Sequence, residues 1–420
     1  MDWARRENRA SLSWALYDWA NSAFSTTIMA FFFPVFFKKY FSADIDPTQS
    51  SFYLGLSNSL AALALVFVAP FVGAIADAGS YKKNFVIGFT FFGAVSCVVL
   101  GLISRGQALE ASIVYGLCSF FHAAALSPYD SLLVDVANDK EVDMVSAWGY
   151  SLGYLGGGLL FALNLFMLFK PELFGISDKA WAVKISFMMV GVWWLFWTLP
   201  FSIWVKEQRR HGVAKKPLQN VKNGCRELFR TCRTILEFKN TLIFLLAFFL
   251  YNDGVGTIIK MSVDYGMNLG FSETHLGLAL LGVQFIGFPL TLVFGRLAQK
   301  SDPKKAIFIG IAIYAFVVLW AYRMSTLWEF YFLAAMLGVA QGGIQSVSRS
   351  LYARIIPTQR AGEFFGFYNL LGKFTGLVGP VMVGIVGVWT GNPRFGMLSI
   401  LLLFVSGAIV LTKVRASTES

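Results

Sequence analysis

The sequence predicts an all-α integral membrane protein: twelve transmembrane helices in two six-helix bundles. Three observations carry this. Of the 420 residues, 56% are hydrophobic and only 14% charged, against the roughly 25% charged residues of a soluble domain. Twelve apolar stretches between clusters of charge, Gly or Pro each approach the roughly 20 residues a helix needs to cross a bilayer core. One long polar segment, 206–239, parts them six and six. An ordinary cytosolic enzyme is excluded.

The predicted spans are 12–37, 52–76, 84–104, 110–136, 145–169, 181–205, 240–262, 274–298, 305–323, 327–352, 361–388 and 394–413. Span 1 follows a charged start carrying Arg5, Arg6 and Arg9. It outruns a signal h-region and precedes no clear A-x-A site, so it reads as the first span of the mature protein. In span 4, Pro128 removes a backbone donor and predicts a kink. The Gly153, Gly156, Gly157, Gly158 run of span 5 permits close helix contact. With both termini cytoplasmic, 25 Lys and Arg fall on the inner side and 9 on the outer, which satisfies the positive-inside rule. That asymmetry explains the net charge of +11 without nucleic acid.

Segment 206–239 is the domain linker between bundles 1–205 and 240–420. Leu218, Val221, Cys225, Leu228, Phe229, Cys232, Ile235 and Leu236 form one face, and Lys222, Arg226, Arg230 and Arg233 another. The pattern predicts an amphipathic basic helix lying on anionic inner-leaflet lipids. Cys97 and Cys118 lie in apolar runs, and no CxxC or Cys/His ligand spacing occurs, so reduced thiols and no metal or cofactor are expected.

A charge at mid-bilayer costs at least ~2.5 kcal/mol on insertion scales, so each one needs a partner, a cavity or a task. Asp18 and Asp130 sit about 9 Å from the cytoplasmic ends of spans 1 and 4, six residues at 1.5 Å each. With Asn21, Ser22 and Ser25 they predict a polar chamber in which either carboxylate can carry a proton; helix–helix hydrogen bonding is the alternative. Asp253, near mid-depth in span 7 and followed by Gly254 and Gly256, is the first choice for coupling-ion or substrate contact. Lys373, equally deep in span 11, can meet a substrate carboxylate or pair with Asp253. His122 in span 4 can relay protons or simply pack. Gln341, Gln345 and Ser348 share one face of span 10 and offer uncharged hydrogen bonds.

Internal echoes support duplicated halves. GAIADAGSYKK (73–83) and GRLAQKSDPKK (295–305) recur at the ends of spans 2 and 8. Tyr17-Asp18, Tyr129-Asp130 and Tyr251-Asn252-Asp253 recur in spans 1, 4 and 7, the first helices of successive groups of three.

Residues 73–83 resemble the loop signature G-x-x-x-D-x-x-G-R-K-K of the major facilitator superfamily through Gly73, Asp77, Lys82 and Lys83. Ser80 and Tyr81 depart from it. YDWANSAFSTT (17–27), GYSLGYLGGG (149–158), QGGIQSVSRSLYARIIP (341–357) and EFFGFYNLLGK (363–373) resemble the vacuole-effluxer branch of that superfamily, across nearly the whole chain. The resemblance implies the major facilitator fold and a secondary transporter working by alternating access. It implies small polar or zwitterionic solutes such as amino acids, moved by export, and a bacterial-type member in the cytoplasmic membrane. Protons are the expected coupling partner. Asp77, Lys82, Lys83, Arg349, Arg354 and Glu363 lie near the cytoplasmic ends, where the signature latches the halves, and are expected to gate; snorkelling is the competing account.

No P-loop or HExxH is present. An intramembrane enzyme using Asp130 with Asp135 or Asp18 as paired carboxylates is therefore disfavoured. A lipid transporter or scramblase on the same fold is the alternative function.

Overall fold

The structure is a computed structural model and describes residues 2–207, 237–268, 270–376, 378–391 and 393–415. Among them, twelve helices are long and apolar enough to cross a bilayer. They are α1 Arg9–Phe41, α2 Phe52–Ala69, α3 Lys82–Leu102, α4 Ala108–Val136, α5 Val142–Phe169, α6 Lys179–Trp204, α7 Lys239–Ser262, α8 Thr274–Lys300, α9 Pro303–Ala321, α10 Leu327–Ile355, α11 Thr358–Thr390 and α12 Arg394–Thr412. Each predicted span has its counterpart, with ends displaced by a few residues.

Helix regularity fails where backbone chemistry demands it. In α1, Pro34 lacks an amide donor, and the helix winds wide on either side of it, as π-turns Phe24–Phe32 and Phe37–Phe41. The α4 segment containing Pro128 ends at Ser131 and restarts as Leu133–Val136; Ser131 Oγ donates to the Pro128 carbonyl at 2.8 Å. The sequence reading treated span 11 as continuous, whereas α11 is two helical pieces, Ala361–Phe374 and Val378–Thr390. Gly376 turns the chain between them at φ 74°, a conformation that strains any residue with a Cβ.

Helix α5 packs on α1, and α6 on α3, while α12 packs on α7 and on the second piece of α11. Contacts between the first six spans and the last six run through α5 against α8 and α10, and through the first piece of α11 against α2 and α4. Along α8, Gly295, Gly287 and Gly277 admit Ala147, Tyr154 and Leu165 of α5 in turn. The glycine run of α5 likewise lets Trp19, Ser22 and Thr26 of α1 come close. These close approaches bring side chains of one half within reach of the other.

The expected linker helix lies outside the described residues, since 208–236 are not among them. Cys225 and Cys232 fall there too; Cys97 and Cys118 are buried free thiols.

Candidate functional site

At the end of the bundle that carries α1's start and α10's finish, Arg349 of α10 enters the first six spans. It is 2% exposed. Its Nη1 donates to Asp18 Oδ2 at 3.2 Å and to Asp130 Oδ1 at 3.0 Å. Nη2 reaches Asp18 Oδ2 at 3.2 Å and the Ser146 carbonyl at 2.9 Å, and Nε donates to Ser146 Oγ at 3.0 Å. The guanidinium carbon lies 4.2 Å from the Tyr150 ring centre, 4.7 Å from that of Trp14 and 5.7 Å from that of Tyr129. Asn369 of α11 adds a hydrogen bond to Asp130 Oδ2 at 2.9 Å.

Buried charge at such a place must be paired. The chamber expected around Asp18 and Asp130 is accordingly not hollow here: a guanidinium fills it, and two carboxylates face one cation. Gly149 makes room, because a Cβ there would stand 2.5 Å from Asp18 Oδ2 and 2.7 Å from Arg349 Nη2. Further contacts join the halves at the same end. Ser146 Oγ donates to the Ser346 carbonyl at 2.8 Å, Gln299 donates to the Lys140 carbonyl at 2.8 Å, and Arg354 pairs with Asp143.

The remaining residues expected to gate do not join this cluster. Lys82 is buried against Asp135 at 3.2 Å. The backbone amide of Lys83 donates to Glu207 at 3.4 Å, and Glu363 pairs with Arg360 at 2.5 Å. The side chain of Asp77 lies outside the described ones.

Deeper in the bundle the polar groups are more open. Gln341, Gln345, Ser25, Asn252 and Lys373 are half-buried, at the mid-depth of helices that are elsewhere packed. His122 Nε2 shares a hydrogen bond with Ser25 Oγ at 3.1 Å, and its ring packs against those of Phe24 and Trp194. Its Nδ1 and the Asn21 amide nitrogen are buried without partners among the described residues. Gln341, Gln345 and Lys373 likewise make no hydrogen bond or ion pair there. Ser348, expected on the glutamine face, instead meets the Tyr251 hydroxyl at 2.6 Å. A separate groove of about 300 Å³, lined by Asn84, Phe85, Gly88, Phe89, Phe92 and Phe121, is almost wholly apolar.

Asp253 differs from expectation. It is fully buried, and its carboxylate accepts from the amides of Val378 at 3.3 Å and Gly379 at 2.6 Å, capping the second piece of α11. Lys260, two turns along the same helix, donates to the carbonyls of Thr375 at 3.4 Å and Gly376 at 3.1 Å. Each end of the broken helix thus receives the charge that its exposed backbone groups favour. The Lys373–Asp253 pairing left open by the sequence does not form; Lys373 stands instead within electrostatic reach of Lys260 and His122.

Sequence reasoning missed Trp14, Ser146, Tyr150, Asn369 and Lys260. For Arg349 a signal existed: it lies six residues from the end of α10, the depth already assigned to Asp18 and Asp130. For the aromatic residues none did, because their role depends on which faces meet.

Comparison with known proteins agrees with this architecture. The MFS-type transporter YxiO of Bacillus subtilis is 35% identical over 419 residues, covering 99% of this chain and 97% of the relative. Two solved structures share the fold. The human organic anion transporter MFSD10 has a TM-score of 0.71 at 14% identity, with 96% and 99% of the two chains covered. The major facilitator superfamily transporter FucP, in its outward conformation, has a TM-score of 0.71 at 13% identity, with 97% and 98% covered. The chain is therefore an integral membrane transporter of the major facilitator type, not an enzyme. A profile described as "Vacuole effluxer Atg22 like" matches residues 6–419, and the chain belongs to that family.

Proposed function

We propose that the protein is a secondary transporter whose bundles 1–205 and 240–420 rock about a central vestibule, and that the state described here is closed at the terminus-bearing end. The observation that carries this reading is Arg349, seated from the last six spans into the first six, beneath mid-depth polar groups that remain half-exposed. Arg349 with Asp18 and Asp130 would be the inner gate, supported by Arg354 with Asp143. On this reading the termini and the linker 206–239 face the cytoplasm of a bacterial cell, and the linker rests on anionic lipids.

The solute would be small and zwitterionic, such as an amino acid. Lys373, without an ion pair among the described residues, offers its ammonium to a carboxylate, while Gln341, Gln345, Asn21, Ser25 and His122 offer hydrogen bonds around it. A proton would supply the drive by neutralising Asp18 or Asp130, since removing either negative charge weakens the hold on Arg349. The Atg22-like family membership supports export as the direction. The test is solute counterflow in proteoliposomes for a panel of amino acids, with and without a pH gradient. Counterflow that a pH gradient accelerates is expected. Headgroup exposure of labelled lipid without solute exchange would overturn it in favour of the lipid-moving alternative.

A further inference from the structure

Among the described residues, the groups that hydrogen-bond or face the Arg349 guanidinium belong to the first six spans: Trp14 and Asp18 on α1, Tyr129 and Asp130 on α4, Ser146 and Tyr150 on α5. From the last six spans come the guest and Asn369, which holds the other oxygen of Asp130 at 2.9 Å without touching the guanidinium. The host is also braced without that guest. Trp14 Nε1 donates to the Tyr129 carbonyl at 2.9 Å, the Tyr129 hydroxyl donates to the Trp14 carbonyl at 3.1 Å, and the two rings stack at 4.6 Å. Tyr17 packs on Tyr129 at 4.7 Å and is itself tied to Thr90 at 2.8 Å.

Two carboxylates, a carbonyl and a hydroxyl converge on the planar fork of donors, with three aromatic rings within reach of the cation. This is the chemistry that recognises guanidinium, through forked hydrogen bonds to carboxylates and through ring faces. Two carboxylates against one guanidinium leave the cluster with an excess negative charge, so the host favours a cation whether or not it is tethered. A compact ammonium could satisfy one carboxylate but would leave part of this donor-matched lining unused.

The geometry points to a receptor for small guanidinium-bearing solutes on the first six spans, in which the side chain of Arg349 is a tethered competitor. This rests on the rocking motion proposed above: when the halves part at this end, Arg349 withdraws with α10, and a free guanidinium from the same side takes its place. Such a solute would then hold the gate open, because its presence blocks the return of Arg349. The receptor lies one to two helical turns nearer the terminus-bearing end than Lys373 and His122, and so is distinct from the mid-depth polar groups.

The test uses the full-length chain in detergent, with methylguanidinium as the probe. In Arg349→Ala the host is vacant without any motion. Low-millimolar methylguanidinium chloride is expected to raise its Tm by several degrees more than equal sodium or tetramethylammonium chloride, since a ligand that prefers the folded form stabilises it. The same cation should bind wild-type protein at least tenfold more weakly. The shift should vanish when Asp18→Asn and Asp130→Asn are added. No shift beyond the salt controls, or one that survives loss of both carboxylates, overturns the proposal. Should Arg349→Ala fail to fold alone, methylguanidinium present during extraction is expected to restore its monodisperse fraction. Absence of that rescue, together with no shift in Arg349→Ser, overturns it equally. Failure of the rocking motion reads differently: binding in Arg349→Ala persists, while wild-type proteoliposomes exchange no solute.

Discussion

Arg349 and Asp130 are 219 positions apart in the chain and 3.0 Å apart in the fold. The contact converts two costly intramembrane charges into a joint between halves. Removing one partner of a buried pair strands the other and costs about 3–5 kcal/mol. Arg349→Ala is therefore expected to lose stability of that order, and the triple variant with Asp18→Asn and Asp130→Asn to regain most of it. Thermal unfolding of the three proteins checks this; a triple variant no more stable than Arg349→Ala would show that the charges are not coupled.

The presence of this cluster was half legible in the sequence. Depth along the helix placed Asp18 and Asp130 at one level, and the same count applied to Arg349 gives the third member. The sequence did not reveal that Ser146 and Tyr150 of α5 would line the joint, because side chains on a helix meet partners set by the crossing of whole bundles. The capping contact of Asp253 was not foreseen, for a local reason. A carboxylate near mid-depth suggests transport chemistry, but Gly376 and Pro380 are break signals, and a helix broken in lipid must have its freed amides satisfied. Asp253 is the group that satisfies two of them.

Gly149 tests whether closure at this end depends on the arginine seat. A methyl group there collides with both Asp18 and Arg349. Gly149→Ala is expected to keep the fold and shift the population toward the state open at the terminus-bearing end. Labelling of Tyr150→Cys by an impermeant maleimide added from that side should be several-fold faster in the Gly149→Ala background. Equal rates would dissociate the seat from closure.

For Asp253, the capping geometry predicts a structural loss. Asp253→Ala should cost about 0.5–2 kcal/mol, the range for losing a helix cap, and should soften the second piece of α11. Turnover per folded molecule should change little. Loss of pH-driven flux in a well-folded Asp253→Asn would return that residue to the coupling role.

Lys373 makes no ion pair among the described residues and stands near a second cation, Lys260. Its removal strands no partner, so Lys373→Ala is expected to fold as well as the parent or better. If it meets a solute carboxylate, stabilisation by amino acids should fall about tenfold in apparent affinity, which corresponds to about 1.4 kcal/mol. Stabilisation by amines lacking a carboxylate should not change. A parallel loss for both classes would make Lys373 a packing group.

Glu207 closes the described part of the first six spans, where its carboxylate accepts from the amide of Lys83 at 3.4 Å beside the Lys82–Asp135 pair. Burial pushes its carboxyl up to about 7, with the positive charge of Lys82 opposing that rise. A raised acid binds its proton more tightly folded than unfolded. Between its ordinary value of 4.5 and about 7 the native state therefore holds more protons, and stability falls as pH rises through that window. Glu207→Gln keeps the shape and cannot ionise. Its Tm should decline less than the wild-type Tm between about pH 5 and about pH 7.5, and the two should converge at the acid end. Parallel curves for the two proteins would mean that Glu207 does not titrate in this window.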